Sequence, residues 1–315
     1  MLITADPLFW EDLLRRPLAE RRGAAPRELV DFIARHHQAT GSAAVARPAV
    51  PDAGLDADLD RALAGLPAIV LERVAPCLLG VFTMDGTGAS AASGVIAGPE
   101  GELIGAFIAI DAGAFAGATA NGWFERRENL PFAPSAGLRL EARIAEDAHD
   151  DRAGALQFVL LHEFGHVLAA CHGLAPMWWR TSGTAPAYPL LDLCWQAAAD
   201  GRFAPRAGHD FPLRERLVYR GSARLSLEDA EDLYRSLGRT GFPTLYAATS
   251  VHEDIADSFA SYVHVRLMGR PLEHRLLRAG GAVALGAPYW QSAAGTARAA
   301  LFETMLAAAP AGFED

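Results

Sequence analysis

The run "LLHEFGHVLA", Leu160–Ala169, places two histidines and a glutamate among leucine, valine and alanine. Side chains four apart on an α-helix share a face, so His162 and His166 can aim ring nitrogens at one point, as a tetrahedral zinc requires. Glu163 is turned about one hundred degrees from His162, outside that pair of bonds but well placed beside a metal-bound water. The same residues also suit a core helix whose two histidines are hydrogen-bonded, and their spacing alone leaves both readings open.

A catalytic zinc needs a third protein ligand and one position left for water. "VHEDIADSF" supplies a candidate. Glu253 and Asp257 are four apart, so with Glu253 on the metal Asp257 faces the same way and can accept the far N–H of a ligand histidine, fixing its tautomer. Val251, Ile255, Phe259 and Val263 form an apolar stripe beside them, whereas acids at this spacing can equally line a solvated helix face.

Together these residues resemble the gluzincin metallopeptidases, whose pattern is HExxH followed on a later helix by a ligand glutamate and an acid four positions beyond. The likeness is greatest to the catalytic domain of anthrax lethal factor, which shares "HEFGH" and a similar glutamate helix. It spans two patches, about 157–170 and 246–263, and the spacer of more than eighty residues between His166 and Glu253 is longer than in those proteins. The resemblance implies zinc on His162, His166 and Glu253, and peptide-bond hydrolysis by a zinc-activated water with Glu163 as general base. It also implies that Tyr246, seven residues before Glu253, stabilises the oxyanion. Asp257 would be the outer partner of a ligand histidine, and the partner a peptide or protein substrate. Two other readings stand beside it: a catalytically inactive zincin-fold interaction protein, for which an intact Glu163 has no use, and an exported effector or toxin protease.

The elements that must carry these residues are legible in part. Aspartates up to Asp151, a long apolar run and Gly173 specify a buried helix under the HExxH motif. A second helix, "SLEDAEDLYRSLG", begins at Ser226 with Asp229 in a near capping box and ends at Gly238. A third runs from about His252 through Leu267. Pro26 opens and Gly41 closes a helix with Leu29, Phe32 and Ile33 on one face. The proline-rich "ARPAVPDAG" reads as a linker, giving an N-terminal helical segment, 1–55, and a zincin-like metallopeptidase domain, 56–315, with one continuous domain as the alternative. The segment could cover the cleft as an autoinhibitor. From Pro76, "CLLGVFTM", "SGVIAG" and "GELIGAFIAI" read as a small antiparallel or mixed sheet, with "GPEG" as a hairpin turn and "DGTGAS" as a hairpin connection. Leu103–Ile110 is either an edge strand that pairs with substrate or an interior strand. The expected class is α+β and zincin-like: this sheet packed on the HExxH helix and the glutamate-bearing helix, with extra N-terminal helices.

Four further features count for less. His172, with Cys171, lies six beyond His166 and so on another helix face; His149, Asp150 and Asp151 read as a helix start. Trp178 and Trp179 fit a substrate pocket or core packing, and "ERRENLPFAP", Glu125–Pro134, reads as an ordered loop.

Composition narrows the partners. The 315 residues carry a formal charge of −10, and all 28 fixed cationic side chains are arginine, which argues against nucleic acid and anionic membranes. The first sixteen residues hold Asp6, Glu11 and Asp12 where a signal peptide needs an apolar run, and the longest uncharged stretch, Ala279–Ala297, is broken by glycines and Pro288. Three cysteines, Cys77, Cys171 and Cys194, form no CxxC pair. These features point to a cytoplasmic protein, with export by a signal-less route left open.

Overall fold

The computed structural model describes residues 1–50, 52–176, 187–198 and 202–308. In chain order the first elements are β1 (Leu2–Ile3), α1 (Pro7–Arg15), β2 (Arg22–Ala24), α2 (Arg27–Thr40), β3 (Arg47–Pro48), α3 (Ala53–Ala64), α4 (Ala68–Val74), β4 (Leu78–Asp85), β5 (Ala91–Ala97) and β6 (Leu103–Asp111). After these come α5 (Ala120–Asn129), β7 (Phe132–Ala133), β8 (Arg139–Arg143), α6 (Arg152–His172), β9 (Trp195–Ala197), β10 (Phe203–Pro205) and β11 (Leu225–Ser226). The chain closes with α7 (Ala230–Leu237), α8 (Val251–Tyr262), β12 (Glu273–Arg278), β13 (Gly281–Leu285) and α9 (Ala293–Ala307). The class is mixed α+β.

The principal sheet has the order β1-β5-β6-β4-β2, with β3 also on β4. It is mixed rather than antiparallel: β5 and β6 form the hairpin turned by "GPEG", but β6 runs parallel to β4, and β4 parallel to β2. "DGTGAS" is therefore not a hairpin connection. It carries the chain from β4 past β6 to β5, and the backbone N–H of Thr87 donates to Asp111 at the end of the intervening strand. Leu103–Ile110 is that intervening strand, so it is interior and has no free edge for a peptide.

Interior strands need apolar side chains on both faces, and β6 alternates accordingly. Ala106, Ile108 and Ile110 join the core with α3 to α6 and α8, while Ile104, Phe107 and Ala109 join Trp10, Leu29 and Ile33 on the other side. The first fifty residues thus add β1, β2 and β3 to this sheet, and their helices α1 and α2 cover the face away from α6. An autoinhibitory cover on the HExxH helix is not what α1 and α2 provide.

The helix signals have the expected physical basis. Asp151 caps α6 by accepting from Gly154 N at 2.9 Å, and Gly173 ends it with φ 62°, a left-handed conformation that glycine adopts without a Cβ penalty. Gly41 does the same for α2. Ser226 and Asp229 form the reciprocal capping box before α7, which starts as a 3-10 turn. Beyond Tyr262 helix α8 widens into a π turn, Val263–Leu267, which seats the buried His264 against Ile144 O at 2.8 Å. Among the described residues α6 is the one helix long and apolar enough to cross a membrane, and 78% of its most apolar window is buried within the protein.

Candidate metal centre

Helices α6 and α8 meet at a position where neither has a large side chain. A Cβ built on Gly165 would lie 2.6 Å from Ala256 Cα and 3.0 Å from its carbonyl oxygen, so glycine is what lets the two backbones approach here. Gly165→Ala should cost about 1–3 kcal/mol, because the clash is with backbone rather than a flexible side-chain end. It should also part the histidines from Glu253. Chemical denaturation and zinc titration of the variant check both; wild-type values for either would show that the helices have slack.

Ser250 caps α8, accepting from Glu253 N at 3.2 Å, which fixes Glu253 in the first turn, where the helix dipole favours a carboxylate. Glu253 Oε2 lies 3.1 Å from His162 Nε2 and 3.5 Å from His166 Nε2. One ligand atom from each of the three residues falls within 4.8 Å of the others. Among the described residues Glu253 Oε2 is buried and makes no aligned hydrogen bond, as for an atom aimed at the space between the imidazoles. Two imidazole nitrogens and one carboxylate oxygen are a donor set that suits zinc. Burial works against the charge on Glu253, but the two imidazoles facing it hold it well below the usual carboxylate range.

Asp257 sits one turn further along α8 and is fully buried. Its Oδ1 is 3.2 Å from His162 Nδ1 and accepts from Arg127 NH2 at 2.5 Å, and its Oδ2 accepts from Thr244 Oγ1. Against burial, the Arg127 charge and the bonds from His162 and Thr244 depress the Asp257 carboxyl to about 2. An ionised carboxylate only accepts, so His162 must donate from Nδ1, and Nε2 is the nitrogen that faces Glu253 and His166 and that a metal would take in exchange for its proton. Burial opposes charge on His162 as well, yet the carboxylates of Asp257 and Glu253 on either side of the ring raise its metal-free pKa to about 9.

A carboxyl group depressed on folding stabilises the protein above its unfolded pKa, and that stability drains away as pH falls through the folded value. For Asp257 the window runs from about 4, the unfolded value, down to about 2. Some 2 kcal/mol should be lost across it. Urea melts at stepped pH should show Asp257→Asn with a flatter acid limb than wild type; identical limbs would remove Asp257 from the acid response.

Arg127 was not among the residues picked out by spacing. "ERRENLPFAP" is no loop in its first half: Glu125–Asn129 is the end of α5, and Arg127 leaves it towards the site. Its guanidinium carbon lies 4.6 Å from the centroid of Tyr246 and 5.5 Å from that of Phe124, while its Nε is 3.4 Å from Glu128 Oε1. Burial opposes its charge, but Asp257 and Glu128 outweigh that, so it stays a cation. Glu128 in turn lies 3.2 Å from His274 Nε2 and accepts from the Tyr234 hydroxyl. The network thereby links α5, α7, α8 and β12.

Tyr246 is brought to the cluster, its ring 5.5 Å from His162 and inclined by 24°. Tyr219 packs against it at 4.4 Å, another contact that sequence spacing gave no reason to expect. Burial, with Glu253 next, pushes the Tyr246 phenol well above its ordinary value. Glu163 is 6% exposed and its Oε2 is buried without a hydrogen-bond partner among the described residues. A second buried pair anchors the back of α8: Arg298 on α9 donates to Asp254 Oδ1 at 2.8 Å, and Trp195 Nε1 to Oδ2 at 2.9 Å. His172 lies outside the cluster, its Nε2 instead 3.8 Å from Cys77 Sγ. Trp178 and Trp179 lie outside the described residues.

No protein-family model, curated protein or solved structure matches this chain.

Proposed function

We propose that the chain is a zinc-dependent hydrolase whose metal is held by His162, His166 and Glu253. Within that class it is a metalloendopeptidase of the gluzincin kind, acting on a peptide or protein. The observation that carries this reading is the convergence of the three ligand atoms, with the His162 tautomer set by Asp257 and, on the same helix, a buried Glu163 whose Oε2 has no hydrogen-bond partner among the described residues. A zincin-like reading of the fold draws support from the packing of α6 between the mixed sheet and α8.

A bound zinc ion supplies Lewis-acid polarisation of a water molecule and of the scissile carbonyl. Glu163 accepts the water proton on its free Oε2 and later delivers it to the leaving amine nitrogen. No hydrogen bond from the described residues has to break first, because none of them reaches that oxygen. Tyr246 keeps its proton at neutral pH, since burial raises its pKa, and donates it in a hydrogen bond to the developing oxyanion. Asp257, held by Arg127 and Thr244, stops the His162 ring from turning.

The test is a peptide-library digest with zinc-loaded protein, read by mass spectrometry beside a metal-chelated control. Defined cleavage sites that vanish on chelation support endopeptidase action. A library left intact by protein of verified zinc content would overturn it.

A further inference from the structure

The first third of the chain encloses a recess none of whose lining residues belongs to the metal cluster. Helix α3 ends at Gly65 and α4 starts straight after Pro67. The hairpin they make meets the 3-10 turn Leu18–Glu20 across a space of about 500 Å³. Leu18, Leu63 and Leu71, each half-buried, line it together with Ala19, Ala64 and Ala75. The backbone carbonyls of these walls are already engaged. Leu18 O accepts from Arg21 N and Leu63 O from Leu66 N, both at 3.1 Å, and Leu71 O accepts from Ala75 N at 2.9 Å. Ala75 O accepts from the Arg21 guanidinium at 2.5 Å. A guest therefore meets chiefly hydrocarbon, and water in the recess gives up hydrogen bonds that the walls do not replace.

The charge on the lining is of one sign. Asp60 on α3 and Glu72 on α4 are its ionisable members, and both are exposed. Arg22 answers Asp60 at 2.7 Å, whereas no cation pairs with Glu72 among the described residues. Glu20, next to Ala19 at the end of the 3-10 turn, is a third exposed acid.

We propose that this recess is a binding site for a small organic amine, with an alkyl or aryl body against the three leucines and an ammonium group at Glu72. The volume falls within the range of about 300–1,000 Å³ that small-molecule sites occupy. Charge selects the head group. An aliphatic or aryl carboxylate of the same shape would bring a like charge to Glu72 and Asp60, with Arg22 already committed to Asp60. A neutral alcohol would bury the same body but leave Glu72 unpaired. The ion pair forms at an exposed carboxylate, so it adds preference to an affinity that comes mainly from burying the body.

The experiment titrates the full chain, with its leucine methyl groups isotope-labelled, with 4-phenylbutylamine, 4-phenylbutanol and 4-phenylbutyrate, and follows the Leu18, Leu63 and Leu71 signals by NMR. All three signals should shift saturably with the amine, which should bind about two- to fivefold more tightly than the alcohol, as one exposed ion pair allows. The carboxylate should bind more weakly than the alcohol. Glu72→Gln, an exposed position away from the metal cluster, should bring the amine down to the affinity of the alcohol and leave the alcohol unchanged. Four results would overturn the proposal: leucine signals that do not move with any of the compounds, an alcohol or carboxylate that binds as tightly as the amine, an amine preference that survives Glu72→Gln, or shifts that follow protein concentration alone, as for a second copy of the chain seated in the recess.

Discussion

Glu163→Gln should lower the rate of peptide hydrolysis by about two to four orders of magnitude while zinc remains bound, the range expected when a positioned general base is removed. Glutamine keeps the shape of the side chain but cannot accept the water proton. The carboxylate is not among the three proposed ligands, so a metal there would have no reason to leave, and no described residue hydrogen-bonds its buried Oε2. Metal content, circular dichroism and cleavage of one peptide from the library separate the possibilities. Retained zinc with lost turnover fits the assignment; cleavage at the wild-type rate would take the base role away from Glu163.

The largest effect on stability should come from Arg127→Met. Its side chain is 10% exposed and faces Asp257, which is wholly buried, and Glu128, which is nearly so. Methionine fills much of the aromatic slot among Trp123, Phe124 and Tyr246 but removes the one guanidinium that faces both interior carboxylates, leaving them to the imidazoles of His162 and His274. Breaking a buried ion pair on one side costs about 3–5 kcal/mol. Asp257→Asn in the same chain should recover part of the loss, because the stranded charge is then gone. Arg127→Lys keeps the charge without the planar fork and should fall between the two. Urea melts of the four proteins measure the coupling; a single-variant change under about 0.5 kcal/mol would mean that solvent or another cation compensates the acids.

The candidate metal cluster was legible where chemistry and helix period coincide. His162 and His166 share a face, Glu253 and Asp257 lie one turn apart, and Asp151, Gly173, Ser226 and Asp229 mark helix ends by local hydrogen bonding that needs no tertiary knowledge. Strand order was not legible in the same way, since the turn "GPEG" reveals the β5–β6 hairpin but nothing local says that β6 inserts beside β4. The N-terminal helices read correctly as helices, yet which face of the sheet they cover is a long-range outcome of burying Trp10, Leu29 and Ile33. Arg127 did leave a trace. It falls four and three residues after Trp123 and Phe124, on the apolar stripe of α5, and a charge on a buried stripe signals a partner in the interior. The prolines that follow obscured the helix. Thr244 and Tyr219 left none, because their roles arise only when the chain between α6 and α8 folds back.

The most direct measurement is elemental analysis of the purified protein beside Glu253→Ala and Glu163→Ala. Near-stoichiometric zinc in the wild type and in Glu163→Ala, with a marked fall in Glu253→Ala, is the expected result. A wild-type protein that holds no zinc even after incubation with the metal would contradict the account and leave Leu160–Ala169 as a core helix with two hydrogen-bonded histidines.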